Sequence, residues 1–153
     1  MNKFMMSVMA VLMLITILGV SGCATTDTLT DDEKNIAYTQ YIIENELESI
    51  KHIRAFNFRG WSPLTDDYLV LSSSFKKRYL IELKNGCYDL GGSYTIALKQ
   101  SMTNQLSINF DAILVLNDFP KRCYIKSIYP INKAVMKELQ AIGKLKENKN
   151  HLS

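Results

Sequence analysis

The sequence predicts an α+β domain with a mainly antiparallel sheet of about six short strands, flanked by an N-terminal and a C-terminal helix. Three observations support this class. Between residues 50 and 131 apolar and polar residues alternate with a period of two, turn residues such as Asn85-Gly86 separate the alternating runs, and no helical pattern interrupts them. A curled sheet, a sandwich and a small barrel all fit this pattern.

A capping-box sequence opens the first predicted helix. The side chains of Thr30 and Glu33 are spaced to satisfy exposed amides at a helix start, and acidic residues here are favoured by the helix dipole. The pattern predicts a helix from about Asp31 to about Glu48. The apolar residues expected to form its buried stripe are Ile36, Ile43, Leu47 and Ile50.

Six alternating runs predict the strands, and a helix follows them. The runs begin at Ile53, Tyr68, Tyr79, Tyr94, Leu106 and Cys123, and the fifth continues past Asp111 to Leu116. Asn132 is placed to cap the last helix. The apolar face of that helix is expected to consist of Val135, Met136, Leu139, Ile142 and Leu145.

The first 22 residues have the form of a secretory signal peptide. Lys3 is the only charge before Asp27, and an apolar run follows it that falls short of the roughly 20 residues a membrane span needs. Val20-Ser21-Gly22-Cys23 then resembles the bacterial lipobox. The resemblance implies attachment of diacylglycerol to Cys23, cleavage after Gly22 and acylation of the new amino terminus; the alternatives are an ordinary signal peptide with a chance cysteine and a small buried Cys.

This interpretation divides the chain into a signal peptide (1–22), a lipidated tether (23–29), a single α+β domain (30–147) and a flexible tail (148–153). Removing the signal peptide leaves 131 of the 153 residues, enough for one domain. By analogy with enterobacterial lipoprotein sorting, Ala rather than Asp at residue 24 favours the outer membrane over the inner membrane. We therefore expect a lipid-anchored envelope protein that contacts the membrane through its acyl chains.

Composition and charge exclude several classes of protein. Hydrophobic residues make up 47% and charged residues 22%, which excludes a disordered acidic tail, a collagen-like repeat and a polytopic membrane protein. After removal of residues 1–22 the chain holds 17 Lys and Arg against 15 Asp and Glu, and this net charge of +2 gives no electrostatic case for a nucleic-acid partner. Charge is nevertheless segregated, since residues 23–50 hold seven acids and one Lys.

Two cysteines remain once Cys23 is assigned to the anchor. An even pair in an exported chain favours a disulfide between Cys87 and Cys123, with two buried free thiols as the alternative. Closing the loop of about 37 residues between Cys87 and Cys123 is expected to stabilise the fold by up to about 4 kcal/mol. Two lone cysteines without a nearby His make a poor metal site.

Three stretches of the domain resemble a family of small proteobacterial lipoproteins of unknown function. The first is Trp61-x-x-Leu64-x-Asp66-Asp67-x-Leu69. The others are Tyr79–Leu83 with Cys87, and Arg122-Cys123-x-Ile125-x-x-Ile128-x-Pro130. The similarity spans roughly residues 50–131. It implies a shared α+β domain and a Cys87–Cys123 bridge, and it implies no activity.

The sequence shows no catalytic, metal-binding or cofactor-binding constellation. His52 and His151 fall at a junction and in the tail, and no Gly-rich phosphate loop is present. Asp66-Asp67 is interpreted as a turn rather than an acid/base pair, because adjacent strand residues face opposite sides. The residues retained for a surface site are Trp61, Asp66, Asp67 and Arg78.

The basic run Lys76-Lys77-Arg78 is expected at a hairpin tip, either solvated or against anionic lipid headgroups. Three functions remain, of which we rank a non-catalytic binding module for an envelope protein or glycan first. A structural or assembly lipoprotein ranks second, and an enzyme acting on cell-wall or lipid substrates ranks third.

Overall fold

The structure, a computed structural model, describes residues 29–116 and 120–142. Within these residues it contains the helices α1 (Asp31–Glu44) and α2 (Lys133–Ile142). Its strands are β1 (His52–Arg54), β2 (Gly60–Pro63), β3 (Tyr68–Ser72), β4 (Arg78–Leu83), β5 (Ile96–Lys99), β6 (Gln105–Ser107), β7 (Ala112–Val115) and β8 (Lys121–Ile131). The predicted signal peptide, Cys23, most of the tether, Leu145 and the tail lie outside the described residues.

Six of these strands form one curled antiparallel sheet in the order β2-β3-β4-β8-β7-β5, while β1 pairs with β6. β8 is the central strand, because its C-terminal half pairs with β4 and its N-terminal half pairs with β7. The register between β4 and β8 shifts at Glu82/Leu83. Such a bulge bends a strand and increases its twist. The predicted α+β class, with helices at both ends of the domain, is confirmed.

Alternate residues of the central strands enter two separate apolar clusters. The inner cluster lies on one face of the sheet and includes Leu69, Ile81, Ile113 and Ile125, with β1 and β6 packed over it. The outer cluster lies on the other face, under both helices, and is formed by Tyr38, Tyr68, Val70, Leu80, Ile131, Leu139 and Ile142. Burial on both faces explains why β3 is apolar from Tyr68 to Leu71.

The capping box at the start of α1 is present, but the predicted buried stripe is wrong. Thr30 Oγ1 accepts a hydrogen bond from the Glu33 amide, and the Glu33 carboxylate accepts one from the Thr30 amide. Ile36 and Ile43 are 68% and 70% exposed. The helix instead buries Tyr38, whose ring packs edge-on against that of Tyr68, and residue 38 points about 200° away from residue 36.

The helix ends at Glu44 rather than near Glu48. Leu47 and Ile50, which were assigned to the same stripe, therefore follow the helix. Leu47 packs against the outer cluster and Ile50 against the inner one, so both are partly buried as loop residues.

Left-handed backbone conformations end two predicted strands early. Ala55 has φ 52° and follows β1, so the alternation that continues to Phe58 does not form a strand. Asn109 has φ 68° and separates β6 from β7, which the pattern had joined into one run. Ala rarely adopts a left-handed conformation, so the residue type at position 55 does not indicate that the strand ends there.

The two outermost strands also differ from the prediction. β2, which contains Trp61, is missing from the prediction because Gly60 and Pro63 leave almost no alternating run. Pro63 is tolerated because β2 lies at an edge of the sheet. At the other edge, β5 begins at Ile96, and the predicted first strand residue Tyr94 is 99% exposed.

The predicted disulfide between Cys87 and Cys123 is confirmed. The two residues are 36 positions apart in the chain, and their Cα atoms are 5.5 Å apart. Both are buried in the inner cluster, where the bond joins the loop after β4 to β8.

Asn132 caps α2 as predicted. Its side-chain Oδ1 accepts hydrogen bonds from the amides of Ala134 and Val135, at 2.8 and 2.9 Å. Leu139 and Ile142 are buried in the outer cluster against α1 and the sheet. The C-terminal helix therefore packs on the domain through its apolar face, as its spacing indicated.

Candidate functional site

The four residues predicted for a surface site do not converge. Trp61 lies in β2 and packs against the inner cluster. Arg78 lies opposite Ser72, at the far end of β3 from Asp66 and Asp67. The structure therefore brings together only the two aspartates, in the turn before β3.

Within that turn, the aspartate side chains have different partners. Asp66 Oδ1 accepts a hydrogen bond from the Leu90 amide at 3.2 Å, and its carbonyl accepts one from the Cys87 amide at 2.6 Å. Asp67 Oδ2 accepts a hydrogen bond from the side-chain amide of Asn35 on α1. Asp66 thus holds the loop after β4 that carries Cys87, and of the two aspartates only Asp67 is available to a site beside α1.

Thr65 and Gly86 position Asp67 from two sides. The buried Thr65 hydroxyl donates to Asn35 Oδ1 at 2.5 Å and accepts from the amides of Asp67 and Tyr68, both at 3.2 Å. Gly86 has φ 63°, and a Cβ at this position would lie 3.1 Å from Asp67 Oδ1. The Asn85-Gly86 turn therefore lets the backbone approach the carboxylate closely.

Asp67 lies in a cavity of about 870 Å³ between α1 and the outer face of β4 and β8. We call this cavity the α1 groove. One of its walls carries the exposed side chains of Ile36 and Ile43. The floor carries Asp67, Glu82 and Lys126. An aliphatic wall thus faces a charged floor, an arrangement that suits a ligand with both apolar and ionic groups.

The electrostatic environment of the groove is acidic around Asp67. Burial raises the pKa of its carboxyl above the ordinary value of 3.8, and the nearby carboxylates of Asp66, Glu82 and Asp32 raise it further. Lys126 acts in the opposite direction. A bound cation at this position would relieve the repulsion among these carboxylates.

We predict that Asp67→Asn removes the loss of folding stability that ionisation of Asp67 causes as the pH rises. Because the folded-state pKa is raised, the stabilisation from protonated Asp67 is fully present below pH 3.8 and is lost as the pH rises through the folded-state value. The asparagine side chain cannot ionise, and its oxygen can still accept from Asn35. The melting temperature of the variant minus that of wild type should therefore increase with pH through this window; a difference that stays flat or decreases would contradict the assignment.

The floor of the groove also holds an ion pair and a neutral hydroxyl. Lys126 Nζ lies 2.6 Å from Glu82 Oε1, and hydrogen bonding to Glu82 raises the pKa of the lysine. Burial raises the pKa of Tyr68 to about 12, so its hydroxyl, 3.0 Å from that of Thr39, stays protonated. The described residues that line the groove include no His, Cys or Ser, so they supply no His-activated nucleophile.

Sequence reasoning missed the contribution of α1 to this site. Asn35 was given no role, and Ile36 and Ile43 were assigned to the core. The available signal was that α1 carries two apolar stripes, one with Ile36 and Ile43 and another with Tyr38 and Ile42. A single helix face packs on the sheet, so the second stripe must face solvent or a partner.

Outside the groove, His52 lies in β1 and its Nε2 accepts from Arg54 Nε at 3.2 Å. In the described part of the chain no group of three or more His, Cys, Asp or Glu side chains is arranged to hold a metal ion. No helix in that same part has the length and apolarity needed to cross a bilayer.

Residues 5–147 match a family model described as "Family of unknown function (DUF6491)". The chain belongs to this family. The match includes Cys23, both disulfide cysteines and every described helix and strand. Comparison with curated proteins gives no match, and neither does comparison with solved structures. The expected membership of a family without an assigned function is confirmed.

Proposed function

We propose that this protein is a lipid-anchored module of the bacterial cell envelope that binds a partner protein in the α1 groove and catalyses no reaction. The observation that carries the proposal is the exposure of Ile36 and Ile43, 68% and 70%, on one wall of the groove. One exposed apolar side chain is ordinary, but two that line the same cavity support the proposal of an interaction site there.

The lining of the groove favours a protein ligand over a glycan. Sugar rings bind by stacking on aromatic faces, whereas the only aromatic side chain among the described lining residues is Tyr68, which is 3% exposed. Aliphatic side chains such as Ile36 and Ile43 instead bury the apolar side chains of another protein. The acidic surroundings of Asp67 add a preference for a basic side chain. The proposed ligand is therefore a protein segment with an aliphatic residue near a Lys or Arg.

A library of short peptides tests this chemistry. Peptides that bind the protein should be enriched in a basic residue close to an aliphatic one, and Ile36→Asp combined with Ile43→Asp should weaken their binding by at least about tenfold, or roughly 1.4 kcal/mol. Met102→Asp combined with Tyr94→Asp is the matched control, because Met102 and Tyr94 are 61% and 99% exposed and do not line the groove. Equal binding to wild type and the double variant would reject the groove as the site.

The anchoring part of the proposal rests on the sequence of the first 23 residues. A short basic start, an apolar run and Val20-Ser21-Gly22-Cys23 occur in the order that a lipoprotein signal requires. Several acyl chains hold a protein on a membrane far more firmly than one, since each buried CH₂ contributes about 0.8 kcal/mol. We place the mature protein at the periplasmic face of the outer membrane.

Metabolic labelling with a fatty-acid analogue tests the anchor separately from the groove. Wild type should incorporate the label and Cys23→Ala should not. The control is Cys87→Ala with Cys123→Ala, which removes the other two cysteines and should keep the label. Labelling of Cys23→Ala at the wild-type level would reject lipidation.

A further inference from the structure

The end of the sheet at which β3 turns into β4 combines exposed aromatic rings with positive charge. Phe75 lies at the hairpin tip and is 98% exposed, and Phe58 is 40% exposed. We call this end of the sheet the basic tip. Its basic residues are Arg59, Lys76, Lys77, Arg78 and Lys133.

Backbone pairing brings these residues together. The Arg59 amide donates to the Ser72 carbonyl at 2.9 Å, and Ser72 is opposite Arg78 in the β3–β4 ladder. Arg78 is also opposite Ile131 of β8, two residues before Lys133. Three separate segments of the chain thus place cations at one end of the sheet.

The charge at the basic tip is not balanced locally. The segments 56–62, 72–78 and 130–137 that build it contain no Asp or Glu, and the next acidic residue, Glu138, accepts a hydrogen bond from the Tyr41 hydroxyl on α1. The ion pairs found among the described residues, Lys34–Asp31 and Lys126–Glu82, both lie elsewhere. The tip is therefore complementary to an anionic surface.

The tip is also held in a defined shape that presents Phe75. The Ser73 amide donates to the Lys77 carbonyl at 3.0 Å, and Ser74 Oγ accepts from the amides of Lys76 and Lys77 at 3.3 and 3.1 Å. An aromatic ring followed directly by two lysines suits the bilayer interface, where the ring enters the headgroup region and the ammonium groups reach lipid phosphates.

We infer that the basic tip is a membrane-contact surface that places Phe75 in the interface of an anionic bilayer, with Lys76 and Lys77 on lipid phosphates. The apical Phe75 favours a bilayer over an acidic protein, because a protein partner would need its own pocket to bury a single protruding ring. Asp67 lies at the opposite end of β3 from the tip, so this contact leaves the α1 groove free. The inference does not depend on what the groove binds.

A single-tryptophan reporter tests the contact in the full chain. Trp61 is the only Trp in the sequence, so Phe75→Trp in a Trp61→Phe background gives a probe at the tip alone. The protein is reconstituted into phosphatidylcholine vesicles with or without phosphatidylglycerol, and quenching by brominated lipid is measured. We expect strong quenching and a blue-shifted emission with phosphatidylglycerol, and loss of both without it.

Two controls separate membrane contact from simple proximity. Tyr94→Trp in the same background places the probe at another site of 99% exposure and should stay unquenched. Lys76→Glu with Lys77→Glu should abolish quenching of the tip probe, whereas Lys99→Glu with Arg122→Glu, an equal charge change on exposed strand residues, should not. Quenching that survives Lys76→Glu/Lys77→Glu, equal quenching at position 94, or none at position 75 would overturn the inference.

Discussion

Removing the Cys87–Cys123 disulfide should lower the free energy of unfolding by up to about 4 kcal/mol. The bond joins two residues that are 36 positions apart in the chain, so it restricts the unfolded chain strongly. Unfolding by denaturant should be compared between wild type and a variant with both Cys87→Ala and Cys123→Ala. For a domain of this size such a loss corresponds to a decrease in melting temperature of roughly 10 to 20 °C.

The reduced wild-type protein is the matched control for this prediction. It keeps both cysteine side chains in the inner cluster, where Cys87 and Cys123 are 0% and 2% exposed, but it loses the cross-link. Its stability should lie within about 1 kcal/mol of the double variant, because the remaining difference is the packing of two sulfur atoms. If the double variant and the reduced wild type each lose less than about 1 kcal/mol of unfolding free energy relative to the oxidised wild type, the bond contributes little.

Asp111→Ala should destabilise the protein by about 3 kcal/mol. Asp111 is 0% exposed, and its two carboxylate oxygens accept hydrogen bonds from the amides of Ser101 and Ser107, both at 2.6 Å. Alanine would leave the amide of the buried Ser107 without its acceptor and release the loop that enters β6. The effect is measured as a change in the free energy of unfolding.

Asp111→Asn separates the hydrogen bonds from the shape of the side chain. Asparagine fills the same space and keeps one acceptor, so about half of the loss should be recovered. If Asp111→Ala costs less than about 1 kcal/mol, the carboxylate does not organise this loop.

The sequence predicts those structural features that depend on interactions between residues close together in the chain. The capping box at Thr30, the Asn132 cap and the Asn85-Gly86 turn each depend on interactions within a few residues, and all are present. The pairing of Cys87 with Cys123 followed from an even count and from the family resemblance. The break at Ala55 is not indicated by residue type, because Ala rarely adopts a left-handed conformation, whereas Asn109 is of a type that adopts it more often and was a usable signal.

The candidate site was predicted only in part because it is built across distant segments. Asp67 was identified from its position in a turn, but its partner Asn35 precedes it by 32 residues on a helix. The periodicity of α1 allowed either Ile36 with Ile43 or Tyr38 with Ile42 to be buried. Contact between the rings of Tyr38 and Tyr68 decides between them, and only the fold reveals that contact.

The central claim is that the α1 groove holds a partner protein in the cell envelope. The most direct test is a photo-crosslinking amino acid introduced in living cells at Ile43 on the groove wall, with the same amino acid at Tyr94 as the control, since both positions are exposed. We predict that position 43 gives one discrete crosslinked protein, that position 94 does not, and that Asp67→Asn weakens the product. The same pattern from both positions, or no product at position 43, would contradict the account.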